Sequence, residues 1–280
     1  MRQLVDGIAP LLGLEFDRGK VYFAAVGDFV GGASRIQRIA ANLDAATLRD
    51  VATIPAIGAP TPRTEGNPDG SADTTTFGSG ARVPNAMTFD SHGNLYVSDS
   101  FQGAVFKIAN PDACAPGCSV QTLSHDAKLA TAGFPPFGAN GLALNKDESA
   151  LFVANTGDDR VLRIDMATLE VTVFAESING ADGIAFDKQG TLWVAANQAD
   201  EVVGLDANGR IVARLGEFRG IRRDGTPDGL LFPASPVIHG DEIFVTNLAL
   251  PLNGVAGDEP EEDVTRWTVS RMKLPRGRDW

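Results

Sequence analysis

The chain has 280 residues, with 24 Lys and Arg against 36 Asp and Glu, a formal charge of −12. That balance excludes nucleic-acid binding and adhesion to an anionic membrane surface, since both need clustered cations. With 43% hydrophobic residues it can bury a core, and 31 Gly with 16 Pro favour many short elements joined by turns over long helices.

Taken in chain order, Arg2-Gln-Leu-Val-Asp-Gly reads as a lone strand and lacks the apolar core of a signal peptide. A two-strand pattern follows at Leu12-Gly-Leu-Glu-Phe-Asp-Arg-Gly-Lys-Val-Tyr-Phe, then strands at Arg35-Ile-Gln-Arg-Ile and Val51-Ala-Thr-Ile. The stretch from Ala41 to Arg49 is the one that reads as helical. Residues 57–83 are dense in Gly, Pro, Thr, Asp and Ser and read as a long loop. Within it, Asn67-Pro-Asp-Gly-Ser-Ala-Asp has the oxygen donors of a calcium loop, although acidic turn residues more often face water.

The opening pattern returns at Asn85-Ala-Met-Thr-Phe-Asp, Asn140-Gly-Leu-Ala-Leu-Asn and Asp182-Gly-Ile-Ala-Phe-Asp, with a degenerate copy at Ser235-Pro-Val-Ile-His. Each copy is a short apolar strand, a turn rich in Asp, Gly or Asn, and a β-branched or aromatic strand. Third and fourth strands follow in most, for example Val161-Leu-Arg-Ile and Val171-Thr-Val-Phe. Between two such strands, Cys114 and Cys118 enclose Ala-Pro-Gly. A hairpin-tip disulfide, which implies an oxidising, extracytoplasmic compartment, stands against two free thiols in a cytosolic turn. The chain ends on a third-strand pattern, Arg266-Trp-Thr-Val-Ser-Arg-Met-Lys, whose missing fourth strand is matched by residues 2–7.

Four antiparallel strands per repeat make a propeller blade. The expected fold is all-β: residues 1–280 as a single β-propeller domain, with repeats starting near 12, 85, 140, 182 and 235. In a propeller the first strand of each blade lies nearest the axis, so the residues opening those strands converge. Here they are Leu12, Asn85, Asn140, Asp182 and Ser235, four of them bearing side-chain oxygens suited to a hard cation. Asn and Asp before a strand also cap turns, but a cap need not recur at one repeat position.

The repeat resembles the senescence marker protein / gluconolactonase / luciferin-regenerating enzyme superfamily, which includes regucalcin-like lactonases. The resemblance covers most of the chain and implies a six-bladed propeller, of which five repeats are visible here. It implies a catalytic divalent cation in the tunnel mouth, Ca2+ first, with Mg2+ or Zn2+ as alternatives. By residue it implies Asn140 and Asp182 as metal ligands, Asp182 also as base or nucleophile, and Asn85 as a further Asn touching metal or substrate. Ser235 joins Asn85 as a substrate contact. Where the family has a metal-binding Glu, the register has Leu12. Either the chain begins inside the family fold, or Glu15, three residues on, compensates.

The three histidines, His92, His125 and His239, show no Ser or Cys partner that would make a triad. The second-strand ends Asp99, Asn155, Asn197 and Asn247 recur and read as turn caps; Pro135-Pro-Phe and Asp258-Glu-Pro-Glu-Glu-Asp read as solvated loops. The leading expectation is a metal-dependent hydrolase acting on a lactone or related ester. Its competitors are a non-catalytic NHL-type propeller that binds a protein or small ligand, and a metal-free strictosidine synthase-like enzyme using Glu15.

Overall fold

In the computed structural model, residues 9–78, 80–251 and 260–275 are described. The first blade is β1 (Leu11–Asp17), β2 (Lys20–Ala25), β3 (Arg35–Ala40) and β4 (Arg49–Thr53), hydrogen-bonded in that order. After a hairpin of β5 (Arg63–Gly66) and β6 (Ala72–Thr75), the second blade is β7 (Pro84–Phe89), β8 (Leu95–Asp99), β9 (Ala104–Ile108) and β10 (Gln121–His125). A one-turn helix, α1 (Pro111–Cys114), precedes β10. The third blade is β11 (Ala139–Leu144), β12 (Ala150–Asn155), β13 (Arg160–Asp165) and β14 (Val171–Glu176). The fourth is β15 (Ala181–Phe186), β16 (Leu192–Ala196), β17 (Glu201–Leu205) and β18 (Ile211–Leu215). A hairpin of β19 (Phe218–Ile221) and β20 (Pro227–Gly229) leads to a three-stranded sheet, β21 (Pro233–His239), β22 (Glu242–Asn247) and β23 (Val269–Lys273).

The chain forms two compact units. One is Met1–Asp158 with Leu162–Thr172; the other is Asp159–Val161 with Val173–Trp280. In the first unit Tyr22, Ile36, Val51, Leu95, Val97 and Phe106 share one core, and Leu129, Leu142, Leu151, Val153, Leu162 and Ile164 another. In the second unit Trp193, Val202, Ile243 and Val245 pack together. Every residue of the second strands β8, β12 and β16 is buried, and apart from Ser98, Asp99 and Asn155 at their ends these strands are apolar. The outer strands β10, β14 and β18 are largely exposed, each burying one or two residues.

The Asp that closes the Phe-Asp motif of the second and fourth blades is structural. Asp90 Oδ1 accepts from the N–H groups of His92 and Asn94, and Asp187 Oδ1 from those of Gln189 and Thr191. The aromatic residue of the next strand donates to the other oxygen: Tyr96 OH to Asp90 Oδ2 at 3.1 Å, Trp193 Nε1 to Asp187 Oδ2 at 2.9 Å. One carboxylate thus closes the turn and satisfies the polar tip of a buried ring.

Two expectations are corrected. The stretch from Ala41 to Arg49 is not a helix: a 3-10 turn spans Ala45–Thr47 and β4 begins at Arg49. Leu43 takes a left-handed φ of 58°, and Thr47 Oγ1 returns its hydrogen to Asp44 O, contacts that end a helix at one turn. The 57–83 segment is not a bare loop, since β5 and β6 pair through it and Arg63 ties it to Asp158 at 3.2 Å. Its Asn67–Asp73 oxygens hold their own turn: Asp69 Oδ1 accepts from Ser71 N and Oγ, and Asn67 Nδ2 donates to Asp73 Oδ2.

The Cys114–Cys118 disulfide is formed and joins α1 to the start of the β10 approach. It is compatible with an extracytoplasmic location. Among the described residues no helix is long and apolar enough to cross a membrane. The strand expected over residues 2–7 lies outside the described residues, as do positions 258 and 259 of the acidic run; Pro260–Asp263 form a 3-10 turn.

Candidate functional site

Each first strand carries an irregularity at the same place. Between Pro84 and Met87 of β7, three steps along the strand oppose two on β8, where Pro84 faces Asp99 and Met87 faces Val97. The same slip separates Leu11 from Leu14, Ala139 from Leu142, Ala181 from Ile184 and Pro233 from Pro236. An extra residue of this kind is a β-bulge, which turns side chains away from the regular pleat. Leu12, Asn85, Asn140 and Asp182 each stand first inside the bulge. The fifth copy differs from the expected alignment: its first bulge residue is Ala234, and Ser235 stands one place on, equivalent to Ala86. The hydrogen bonds agree, since Ala86 N donates to Ser98 Oγ and Ser235 N to Thr246 Oγ1 at the matching place. Ser235 is exposed.

In the first unit, Asn85 and Asn140 are buried and held alike. Asn85 Nδ2 donates to Ser100 Oγ at 3.1 Å, and Asn140 Nδ2 to Thr156 Oγ1 at 2.9 Å. Neither Oδ1 accepts a hydrogen bond from a described residue, so each amide keeps a free acceptor. The two positions are linked: Ser98 Oγ donates to Asn140 O and Ser100 Oγ to Ala139 O, both at 2.7 Å. β1 packs here too. A Cβ at Gly13 would overlap the carbonyl oxygen of Asn85, so the residue after Leu12 has no side chain.

In the second unit, Asp182 is buried and accepts from Asn197 Nδ2 at 3.3 Å. Asn197 is only 2% exposed, and its Oδ1 has no hydrogen-bond partner among the described residues. The sequence reading placed Asn197 with the turn caps. Asp99 and Asn155 do cap the turns that follow them, Asn155 Oδ1 accepting from Asp158 N, whereas Asn247 bridges to distant segments. Asp99 accepts from the N–H groups of Val83, Phe101 and Gln102, Asn155 donates to Lys128 O and Ala130 O, and Asn247 Oδ1 accepts from Leu231 N. Asn197 departs because it stands one place further on: Ala196 faces Ala181 as Asp99 faces Pro84 and Asn155 faces Ala139, so Asn197 is level with Ser100 and Thr156, which bond Asn85 and Asn140.

Leu12 occupies the bulge position of β1, 39% exposed, with no donor atom to offer. Glu15 lies opposite Tyr22, half-buried, and accepts from Phe16 N at 3.0 Å. Burial pushes its carboxyl up to about 7, against the lesser opposing effect of that hydrogen bond. Among the described residues no three His, Cys, Asp or Glu side chains gather as a metal cluster. Asn85 and Asn140 of the first unit offer neutral amide oxygens, and Asp182 of the second a carboxylate. Each is a donor type suited to a hard ion, and free Oδ1 atoms on hydrogen-bonded amides fit one. The histidines are exposed; His92 has Nδ1 4.0 Å from Glu148 Oε2. A cavity of about 510 Å3 in the second unit is lined by Arg219, Arg222, Asp228, Ser270 and Arg271, and holds none of the expected site residues.

Antiparallel four-stranded blades repeated along the chain, each first strand bulged at the same place, define a β-propeller. Residues 81–216, from the entry to the second blade to the end of the fourth, match the SMP-30/Gluconolactonase/LRE-like region family model. The match spans Asn85, Asn140 and Asp182 and bears out the resemblance seen in the sequence. Solved structures of luciferin-regenerating enzyme (15% identity, TM-score 0.53, 96% of this chain and 92% of that one) have a similar fold. So do a streptogramin B lyase (10% identity, TM-score 0.52, 96% and 70%) and a chain of a nidogen/laminin complex (15%, 0.53, 85% and 72%). At these identities the likeness establishes the fold. No curated protein sequence matches the chain.

Proposed function

We propose that this protein is a divalent-cation-dependent hydrolase of a lactone or related carboxylic ester. The observation that carries the reading is the equal bulge position of Asn85, Asn140 and Asp182 in β7, β11 and β15, with free Oδ1 atoms on both amides. Asn85 and Asn140 would hold the cation through Oδ1 and Asp182 through its carboxylate, an assignment resting on register and on the family match that spans all three. When bound, the cation supplies Lewis-acid polarisation of the substrate carbonyl. Asp182 takes a proton from water as the water oxygen bonds to the carbonyl carbon. The acyl C–O bond then breaks, the departing oxygen receives the proton, and a hydroxy acid is released. Asn197 Nδ2 orients the Asp182 carboxylate for that transfer.

The test is a calcium titration of the melting temperature combined with a lactone screen in the presence and absence of chelator. The expected result is a rise in Tm with millimolar Ca2+ that Asp182→Ala abolishes, because a ligand of the native state alone must stabilise it. Turnover should vanish with chelator. A Tm unmoved by Ca2+, Mg2+ or Zn2+ overturns the proposal.

One observation favours a second reading. Glu15, with its carboxyl pushed up to about 7, is tuned for proton transfer near neutrality and needs no cation. Activity that persists in chelator and is lost in Glu15→Gln would select this metal-free reading.

A further inference from the structure

Three phenylalanines of the first unit form a row. Phe29 and Phe101 have ring centroids 6.1 Å apart at 61°, and Phe101 and Phe137 5.5 Å apart at 53°. Phe29 lies in the Gly27–Val30 turn after β2, Phe101 two residues beyond β8, and Phe137 two residues before β11. These are the ends at which Leu11 faces Ala25 and Pro84 faces Asp99, and at which Ala139 faces Asn155. The row therefore stands at the end of the blades where Asn85 and Asn140 open their strands. Phe101 follows Ser100, whose hydroxyl accepts from Asn85; Phe137 precedes Gly138, whose N–H donates to Ser100 O.

The row is rigidly mounted. Asp28, next to Phe29, takes hydrogen bonds from Arg82 N, Nε and Nη2, and this pairing holds its carboxyl below the usual range. Asp99 accepts from Phe101 N, and Gly157 N donates to Phe137 O. Yet the apolar surface there is left to water: Phe29 is 47% exposed, Val30 65% and Phe134 55%. Exposed apolar surface on a pinned backbone, beside two amides with free acceptors, matches a ligand with a polar head and an apolar body.

The geometry points to an apolar subsite: the Phe29–Phe101–Phe137 row takes the acyl or aryl group of the substrate, making this an enzyme for lactones bearing a hydrophobic substituent, not for polyhydroxylated ones. The inference rests on the hydrolase reading above for the reactive head, but the row's binding of an apolar tail is separable from turnover. Flat aromatic surface gains by covering alkyl or aryl carbon and offers a sugar lactone's hydroxyls no partner.

The test pairs kinetics with binding on the full chain. Kinetics compare γ-butyrolactone, γ-undecalactone and glucono-δ-lactone with Ca2+ present. Calorimetry compares cyclopentanone with 2-heptylcyclopentanone, a ketone that cannot be hydrolysed. The expected result is at least a tenfold preference in kcat/KM for the undecalactone over the butyrolactone, carried by KM. Phe29→Ser should cut that preference about tenfold and Phe29→Leu restore most of it. The heptyl ketone should bind wild type at least tenfold more tightly than Phe29→Ser.

If no lactone turns over but the heptyl ketone binds in this Phe29-dependent way, the hydrolase reading falls and the apolar subsite stands. If lactones turn over with no effect of the tail, or glucono-δ-lactone is preferred, the subsite falls and the hydrolase reading stands. Absence of both turnover and ketone binding overturns both.

Discussion

Asn197, the first residue beyond β16, donates through Nδ2 to Oδ2 of Asp182, the second residue of β15, at 3.3 Å. Its own Oδ1 is buried without a partner among the described residues, a cost of about 1–3 kcal/mol unless something pairs with it. A carboxylate oriented this way is sensitive to its donor. Asn197→Ala should lower kcat/KM toward whichever lactone proves to be hydrolysed by about 10–100-fold, the usual range for an orienting partner of a metal-site residue. Circular dichroism should remain that of wild type. Unchanged kinetics in Asn197→Ala would show that Asp182 is positioned without it.

The same amide makes Gly180 sensitive. Gly180 has φ of 66°, and a Cβ there would overlap Oδ1 of Asn197. Gly180→Ala combines a left-handed backbone with a steric clash, and about 2–4 kcal/mol of destabilisation is expected in urea unfolding. Asn197→Ala in the same background should recover part of it, since the clash is removed and the backbone strain is not.

Asp112 of α1 ties the outer part of the second blade to the first. It accepts from Lys20 Nζ and Tyr22 OH, both at 2.6 Å, and pairs with Arg38. Nearby, Gly117 N and Cys118 N both donate to Val51 O. Asp112→Ala should cost about 2–3 kcal/mol, because it strands a buried phenol and a largely buried guanidinium. The Cys114→Ser/Cys118→Ser pair should cost about 2 kcal/mol on loop-closure entropy. The combined loss should be less than the sum of the two, because both changes release one segment.

Glu15 yields a prediction in pH. Its native carboxyl titrates at about 7 against 4.5 ordinarily, so the folded state binds the proton more tightly than the unfolded one. Stability from this group is complete below about pH 4.5, falls between 4.5 and 7, and is lost above 7. Glu15→Gln removes the titration, so its advantage over wild type should be of order 1 kcal/mol at pH 8, discounted for partial exposure, and vanish at pH 4. Chemical unfolding at the two pH values checks it; equal differences at both would show that Glu15 titrates normally.

The repeat, the blade and the paired cysteines were legible in the chain because they are local. Alternation, turn residues and close Cys spacing act over a few neighbours, and the buried β8, β12 and β16 show in the chain as β-branched or aromatic segments. The polar openings Asn85, Asn140 and Asp182 were legible for the same reason. What sequence could not supply was the bulge, which replaced Ser235 by Ala234 at the equivalent place, since register depends on which residue the partner strand presents. Nor could it show that Asn197 stands one place beyond the position shared by Asp99, Asn155 and Asn247, because that register is set by the partner strand. The Phe29–Phe101–Phe137 row and the grip of Arg63 on Asp158 likewise join residues tens of positions apart, and only the packing of whole blades brings such side chains into contact.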